Sequence, residues 1–185
     1  CLPNFSSQLA RWLLRRFLMA LSLQHGDITK FKGDAIVNAA NSRLVHGGGV
    51  ARAISDAAGP GLDEEGQFEL EAHGPIEVGD ALATKGFDLP VTWVIHAVGP
   101  IYGDHDGAEA ELLARAYESS LDLAREYQLK TVAFPAISAG TYGYPLAEAA
   151  QIAVDSVREH GHGLEVTFVL FDADTYAAFD EVLSS

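Results

Sequence analysis

The sequence has one cysteine, Cys1, and one methionine, Met19, in 185 residues. A lone cysteine excludes an internal disulfide framework and a cysteine-built zinc site. Basic residues are scarce: 12 Lys and Arg, of which only Lys30, Lys32, Lys85 and Lys130 are lysines, against 26 Asp and Glu, for a formal net charge of −14. That balance argues against general affinity for a nucleic-acid backbone, which needs a basic face. It argues equally against docking of the folded body on anionic lipid. No apolar run approaches the roughly 20 residues of a spanning helix. Internal repeats, linkers and low-complexity blocks are also missing. What is present is a chain of about one domain's length, 48% hydrophobic and 21% charged, with enough apolar residues for a core. Acid in excess over few lysines fits a protein kept soluble in high salt.

Acid is absent from the first 26 residues, Asp27 being the first. Residues 1–18 carry Arg11, Arg15 and Arg16 and no negative charge, so the chain from Met19 onward has nine basic against 26 acidic residues, a net of −17 over 167 residues. One reading makes residues 1–18 sequence upstream of a start at Met19. Another makes them an appended amphipathic helix, with Leu9, Trp12, Leu13, Phe17 and Leu21 at helical spacing and Arg11 and Arg15 on another side. An Arg-rich, acid-free start also resembles an organelle transit peptide. The expected organisation is an N-terminal extension or upstream segment over 1–18 and one domain over 19–185.

Strand-like and helix-like stretches alternate along that domain. Apolar or β-rich runs occur at Leu21–Gln24, Ala35–Ala39, Asp80–Thr84, Thr92–Val98, Thr131–Ala136 and Glu165–Phe171. Helical patterns cover Val50–Ala58, Ala108–Tyr127, Pro145–His160 and Asp174–Leu183. In the long second helix Leu112, Leu113, Ala116, Leu121 and Ala124 recur at core spacing, and Pro145 suits a first helical position. Strands apolar throughout, such as Trp93–Val98 and Val166–Phe171, suit the middle of a sheet covered on both faces. The alternation predicts an α/β layered domain.

Two glycine loops each follow a strand and open a helix: His46-Gly47-Gly48-Gly49-Val50, and Ser138-Ala139-Gly140-Thr141-Tyr142-Gly143. Glycines there let backbone N–H groups turn toward an anion, and a helix N-terminus adds favourable potential. In open α/β sheets ligands sit off the carboxyl ends of strands, where both loops fall. Neither loop is a P-loop, since no Gly-Lys-Ser/Thr follows, and neither has the dinucleotide spacing. Alone, each is equally an ordinary tight turn.

Polar residues beside the loops point to a sugar and a base. Asn38 and Asn41 flank the end of one strand, and an amide that both donates and accepts can pin a hydroxyl pair or orient a water. Holding the loop backbone is the plainer role, and the one expected of Asn38. Asp27, just after the first strand, can accept from an exocyclic base amine or cap a turn. Phe171 at the end of the last strand can stack on a base or join the core. Tyr142 can cover a ribose or pack the loop. His160-x-His162 has no nearby Cys or acid cluster and reads as a solvated helix end.

Together these residues resemble the macro domain. The resemblance rests on Gly26-Asp27-Ile28-Thr29; Asp34-Ala35-Ile36-Val37-Asn38-Ala39-Ala40-Asn41; Leu44-x-His46-Gly47-Gly48-Gly49-Val50-Ala51; Gly79-Asp80-Ala81; Val94-Ile95-His96-Ala97-Val98-Gly99-Pro100; and Phe134-Pro135-Ala136-Ile137-Ser138-Ala139-Gly140-Thr141-Tyr142-Gly143-Tyr144-Pro145. It runs from about Leu21 to Leu183 and implies a three-layer α/β/α fold with a mixed, mostly parallel central sheet. The implied ligand is ADP-ribose. By position, Asp27 would bind the adenine amine, Ile28 would border the adenine and Phe171 would stack on or flank it. Gly47, Gly48, Gly49 and Val50 would hold one side of the diphosphate. Ser138, Ala139, Gly140, Thr141 and Tyr142 would hold the other, with Tyr142 against the distal ribose. Asn41 would bond a distal ribose hydroxyl near C1″, and His96 would be buried in a strand.

The subtype bears on chemistry. The deacetylase-like form has an aspartate, its proposed water activator, where this sequence has Ala51. The His46-Gly47-Gly48-Gly49-Val50-Ala51 form looks more like archaeal and viral-type macro domains. Several of those remove ADP-ribose from acidic side chains, or phosphate from ADP-ribose-1″-phosphate. The implied activity is mono-ADP-ribosyl ester hydrolysis, with a non-catalytic binding module, an ADP-ribose-1″-phosphate phosphatase or an O-acetyl-ADP-ribose deacetylase as alternatives. Asn41, the backbone at Gly48, Tyr142 and His46 are the candidate catalytic groups; an unperturbed imidazole titrates near neutrality, but bracing its loop is the plainer role for His46. The implied partners are ADP-ribose and ADP-ribosylated proteins, with no cofactor and no metal. A cytoplasmic monomer is the expectation.

Overall fold

The computed structural model describes residues 19–185, so every expectation for residues 1–18 lies outside the described residues. Six strands and five helices follow in order: β1 (Ala20–His25), β2 (Gly33–Ala40), α1 (Gly49–Ala58), α2 (Pro60–His73), β3 (Ala81–Lys85), β4 (Val91–Val98), α3 (Glu109–Glu126), β5 (Thr131–Phe134), α4 (Leu146–His160), β6 (Glu165–Leu170) and α5 (Ala173–Ser184). A 3₁₀ turn, Ile28–Lys30, joins β1 to β2. The sheet order is β1-β6-β5-β2-β4-β3. All neighbours are parallel except the β3–β4 pair at one edge. The expected three-layer fold with a mixed, mostly parallel sheet is the fold observed.

Period-two alternation fills both faces of the sheet. Ala35, Val37, Ile95, Ala97, Val132, Phe134 and Phe168 turn toward α3, α4 and α5, meeting Leu113, Tyr117, Leu121, Ala153, Val157 and Phe179 in the larger core. Ile36, Val94, Ala133 and Val169 turn the other way, onto Ile54, Ala58 and Leu62 of α1 and α2. Tyr117, Phe134, Phe168 and Phe179 form an aromatic spine through the larger core, with adjacent ring centroids 4.8–6.2 Å apart in the tilted and edge-on geometries that aromatic pairs favour.

Helix α2 lies outside the sequence expectations. Only Leu62 and Gly66 of its residues are buried, so it carries no apolar stripe to read. Its limits come from backbone chemistry instead: Pro60 opens it, and Gly59 and Gly74 flank it with φ of +79° and +84°. Strand β5 also stops at Phe134, two residues short of the expected Ala136, because Pro135 has no N–H for the ladder.

One polar chain crosses the inside of the sheet. Asn38 and His96 are register partners on β2 and β4 and both are fully buried. Asn38 Nδ2 donates to His96 Nδ1 at 3.1 Å, which leaves the imidazole proton on Nε2, 2.9 Å from Thr84 Oγ1. The Thr84 hydroxyl turns to the Lys85 carbonyl at 3.3 Å. Burial, and then His46 nearby, holds the His96 pKa down to about 3, so the ring is neutral. A base with a depressed folded-state pKa keeps its contribution to stability above its unfolded value, about 6.5. It loses that contribution as pH falls toward 3. We expect thermal melting points to fall more steeply between pH 6.5 and 4 for the wild type than for His96→Gln; parallel slopes would refute the assignment.

Candidate functional site

β2 and β5 are neighbours, yet the chain leaves β2 toward β3 and β4 on one side and leaves β5 toward β6 on the other. Such a divergence opens a crevice at the carboxyl ends of the strands. Here it is a cleft of about 860 Å³. Its lining crosses five strand ends in spatial order: Asp27 and Ile28 after β1, Phe171 after β6, Pro135–Tyr142 after β5, Asn41 to Ala51 in part after β2, and Gly99 after β4. Four inter-strand steps give about 19 Å, the length of a ligand with two nucleoside-sized ends.

The first glycine loop forms one wall. Gly48 is extended, and Gly49, at φ +58°, turns the chain into α1. That angle suits glycine because it has no Cβ. No side chain caps α1, so the first amides of the helix keep their donors. Gly48, Gly49, Val50 and Ala51 N–H have no backbone acceptor among the described residues. The second loop forms the facing wall. Its amides at Gly140, Thr141 and Tyr142 likewise donate to no other backbone group among the described residues. Its shape is held by Tyr144 N–H to the Ser138 carbonyl and Gly143 N–H to the Gly140 carbonyl, both 3.0 Å. Beneath it, Ile137 N–H donates to the Tyr117 hydroxyl of α3 at 3.1 Å. Ser138 is buried with φ +63°, a left-handed conformation that is strained for a non-glycine residue.

No Lys, Arg or His lines the cleft, and its titratable side chains are Asp27, Asp172 and Tyr142 among the described residues. Any attraction for an anion there has to come from oriented amides and a helix N-terminus. Asp27 Oδ1 accepts from Thr29 N–H at 2.9 Å and from Thr29 Oγ1 at 2.7 Å; Oδ2 makes no hydrogen bond among the described residues. Asp172 caps α5 through Thr175, and those bonds, the backbone amide first, hold its pKa below the usual carboxylate range. Burial raises the Tyr142 pKa. Phe171 stands 80% exposed at the mouth.

The model of the macro domain family matches residues 37–153. This chain belongs to the macro domain family. A macro domain-containing protein of Cupriavidus necator is 45% identical over 168 residues, covering 89% of this chain and 97% of that protein. The O-acetyl-ADP-ribose deacetylase of Enterobacter cloacae is 48% identical over 164 residues, covering 86% and 91%. Among solved structures, the Oceanobacillus iheyensis macrodomain with ADP is similar at a TM-score of 0.86 and 40% identity, covering 89% of this chain and 90% of that one. A Trypanosoma brucei macrodomain in complex with ADP-ribose is similar at 0.79 and 36%, covering 88% and 68%.

This macro domain brings Asp27, Ile28, Asn41, Gly47, Gly48, Gly49, Val50, Ser138, Ala139, Gly140, Thr141, Tyr142 and Phe171 to one cleft. His46 is the exception: its ring lies behind the loop, in a separate cavity of about 380 Å³, against Asp63. Asn41 lines the cleft while bracing its own loop. Its Nδ2 donates to the Val45 carbonyl at 2.6 Å, and its Oδ1 accepts from Arg43 and Val45 N–H at 3.1 and 3.0 Å. Asn38 is buried away from the cleft, paired with His96. Sequence reasoning did not place Val45, Gly99 or Thr175 on the lining; Gly99, which follows β4, entered the sequence reading only within the motif Val94–Pro100. A Cβ at Gly99 would overlap Ser138 Oγ and lie 2.5 Å from Ile137 Cγ2, so the second loop packs on the bare backbone there.

Tyr117→Phe should leave the buried Ile137 N–H without an acceptor. We expect a loss of about 1–3 kcal/mol in urea unfolding with shifted amide resonances across residues 136–144. An unchanged midpoint and unchanged shifts would show that the hydroxyl does not support the loop.

Proposed function

We propose that this macro domain binds ADP-ribose across the five strand ends and hydrolyses mono-ADP-ribose esters of acidic protein side chains. The observation that carries the reading is the pair of facing walls of amides that, among the described residues, have no backbone acceptor and share a cleft with no cationic side chain. A diphosphate fits between those walls, with Asp27, Ile28 and Phe171 at the adenine end and Asn41 and Tyr142 at the distal ribose. The relatives solved with ADP and with ADP-ribose support the same ligand.

The chemistry follows from what the distal end holds. Water adds at C1″, the C1″–O bond breaks, the carboxylate leaves with the electron pair, and the proton shed by the attacking water passes to bulk solvent. A carboxylate with a pKa near 4 leaves without protonation. The reaction therefore needs no general acid, which matches a distal end whose only titratable side chain among the described residues is Tyr142, in a cleft that Ala51 also lines. Catalysis is then positioning by Asn41 and Tyr142, with charge stabilisation by the Gly48 amide and its neighbours. The proposed partners are ADP-ribosylated proteins, bound by a monomer. Ala51 also favours a second reading, a binding module without turnover. The deacetylase name of the Enterobacter cloacae relative favours a third, hydrolysis of O-acetyl-ADP-ribose, a smaller ester of the same sugar.

Calorimetry with ADP-ribose, followed by release assays on an Asp/Glu-modified protein, O-acetyl-ADP-ribose and ADP-ribose-1″-phosphate, separates these readings. We expect binding, and fastest release from the modified protein; binding with no release from any ester would leave the binding module. Asp27→Ala should weaken binding by about 1–3 kcal/mol, and unchanged affinity would misplace the adenine end. A Cβ at Gly48 meets nothing within 4 Å and its backbone is extended. Gly48→Glu should therefore fold normally and abolish binding by placing a negative charge in the cradle. Retained binding by a folded Gly48→Glu would refute the loop assignment.

A further inference from the structure

The first glycine loop has a bare front and an anchored back. Gly47 and Gly48 are exposed, and a Cβ at Gly47, Gly48 or Gly49 would meet nothing within 4 Å. Packing therefore does not fix where the amides of the front wall point. The His46 side chain is the opposite case, at 6% exposed. Its Nε2 lies 3.3 Å from Asp63 Oδ1 on α2. The same carboxylate accepts from Ser55 Oγ of α1 at 3.0 Å, with its second oxygen at 3.3 Å. One side chain on α2 thus holds the residue just before the glycines and the helix just after them.

We propose that Asp63, through His46 and Ser55, is a positioning residue that sets the diphosphate-facing amides of the first glycine loop. Asp63 does not line the cleft and touches no ligand there; it acts from the cavity behind the loop. The arrangement needs His46 to present an N–H on Nε2, which a neutral ring does with its proton on that nitrogen. Burial pushes the His46 pKa below its ordinary value, against the opposing pull of Asp63. The charged groups around the ring are few: Asp63 from α2, and Arg52 and Asp56 from α1, which are paired with each other at 2.7 Å. His96 on β4, with a centroid 6.1 Å away, is neutral. Asp63 is half-exposed, so its removal does not open the core.

The inference rests on the proposed binding of ADP-ribose, and its test keeps the two apart. Wild type, Asp63→Ala, Asp63→Asn and His46→Ala are titrated with ADP-ribose, ADP and adenosine, the last carrying no phosphate. We expect Asp63→Ala and His46→Ala each to weaken ADP-ribose and ADP by about tenfold, the scale of one lost polar contact to a carboxylate, with adenosine unchanged. Asp63→Asn, which keeps an oxygen acceptor, should stay within about threefold of wild type. The Asp63→Ala/His46→Ala double variant should be no weaker than Asp63→Ala, which already removes the contact that His46→Ala removes. Wild-type affinity for ADP-ribose in Asp63→Ala overturns the inference while the binding reading stands. An equal loss for adenosine also overturns it, by showing general damage. A wild type that binds none of the three ligands overturns the binding reading and the inference together.

Discussion

The pairing of β2 with β5, through Ala35↔Val132 and Ile36↔Ala133, is the constraint on which the rest of the structure depends. Only two residues of each strand are in register, and all four are fully buried. The pairing joins the β1-β6-β5 half of the sheet to the β2-β4-β3 half. Each strand releases a glycine loop at its carboxyl end, so the pairing also brings the two loops face to face. Fold and cleft therefore have one origin: a strand order that diverges where small and β-branched residues allow close, dry contact on both faces.

A chain with a −14 balance that accepts an anion has to solve a field problem locally. Lysine or arginine in the cleft would do so at the expense of selectivity, since a mobile charge attracts any anion. Fixed amides act only at the point toward which they converge, and they carry no net charge for salt to screen. The structure takes the second course on both walls. Scaffolding that aims those amides lies out of ligand reach: Tyr117 under one loop and Asp63 behind the other.

Much of this was legible in the sequence. Both-face apolar strands such as Trp93–Val98, the core spacing of α3, and the two strand–glycine–helix junctions each follow a periodicity or a turn rule, and each gave an element or loop where expected. Helix α2 was not legible because Leu62 and Gly66 alone turn inward, so burial left no pattern. The direction of His46 was not legible either. A histidine before a glycine run can face the ligand or the scaffold, and what decides is Asp63, 17 positions away on that unread helix. Asn41 was read as a ligand contact from its residue type, whereas its bonds to Arg43 and Val45 depend on loop geometry that no spacing rule encodes.

The Asn38–His96–Thr84 chain has a further consequence, for assembly of the sheet. Ala, Val and Ile pack acceptably in several alignments, so parallel strands buried on both faces carry little information about which residue should sit opposite which. A one-residue slip of β2 along β4 would set Asn38 opposite Ile95 or Ala97 instead of His96. It would strand an amide and an imidazole in a dry interior, at about 1–3 kcal/mol for each unpaired group. The polar trio thus acts as a ratchet tooth in an otherwise smooth interface. It disfavours slipped alignments and, through β2, fixes where the first glycine loop begins.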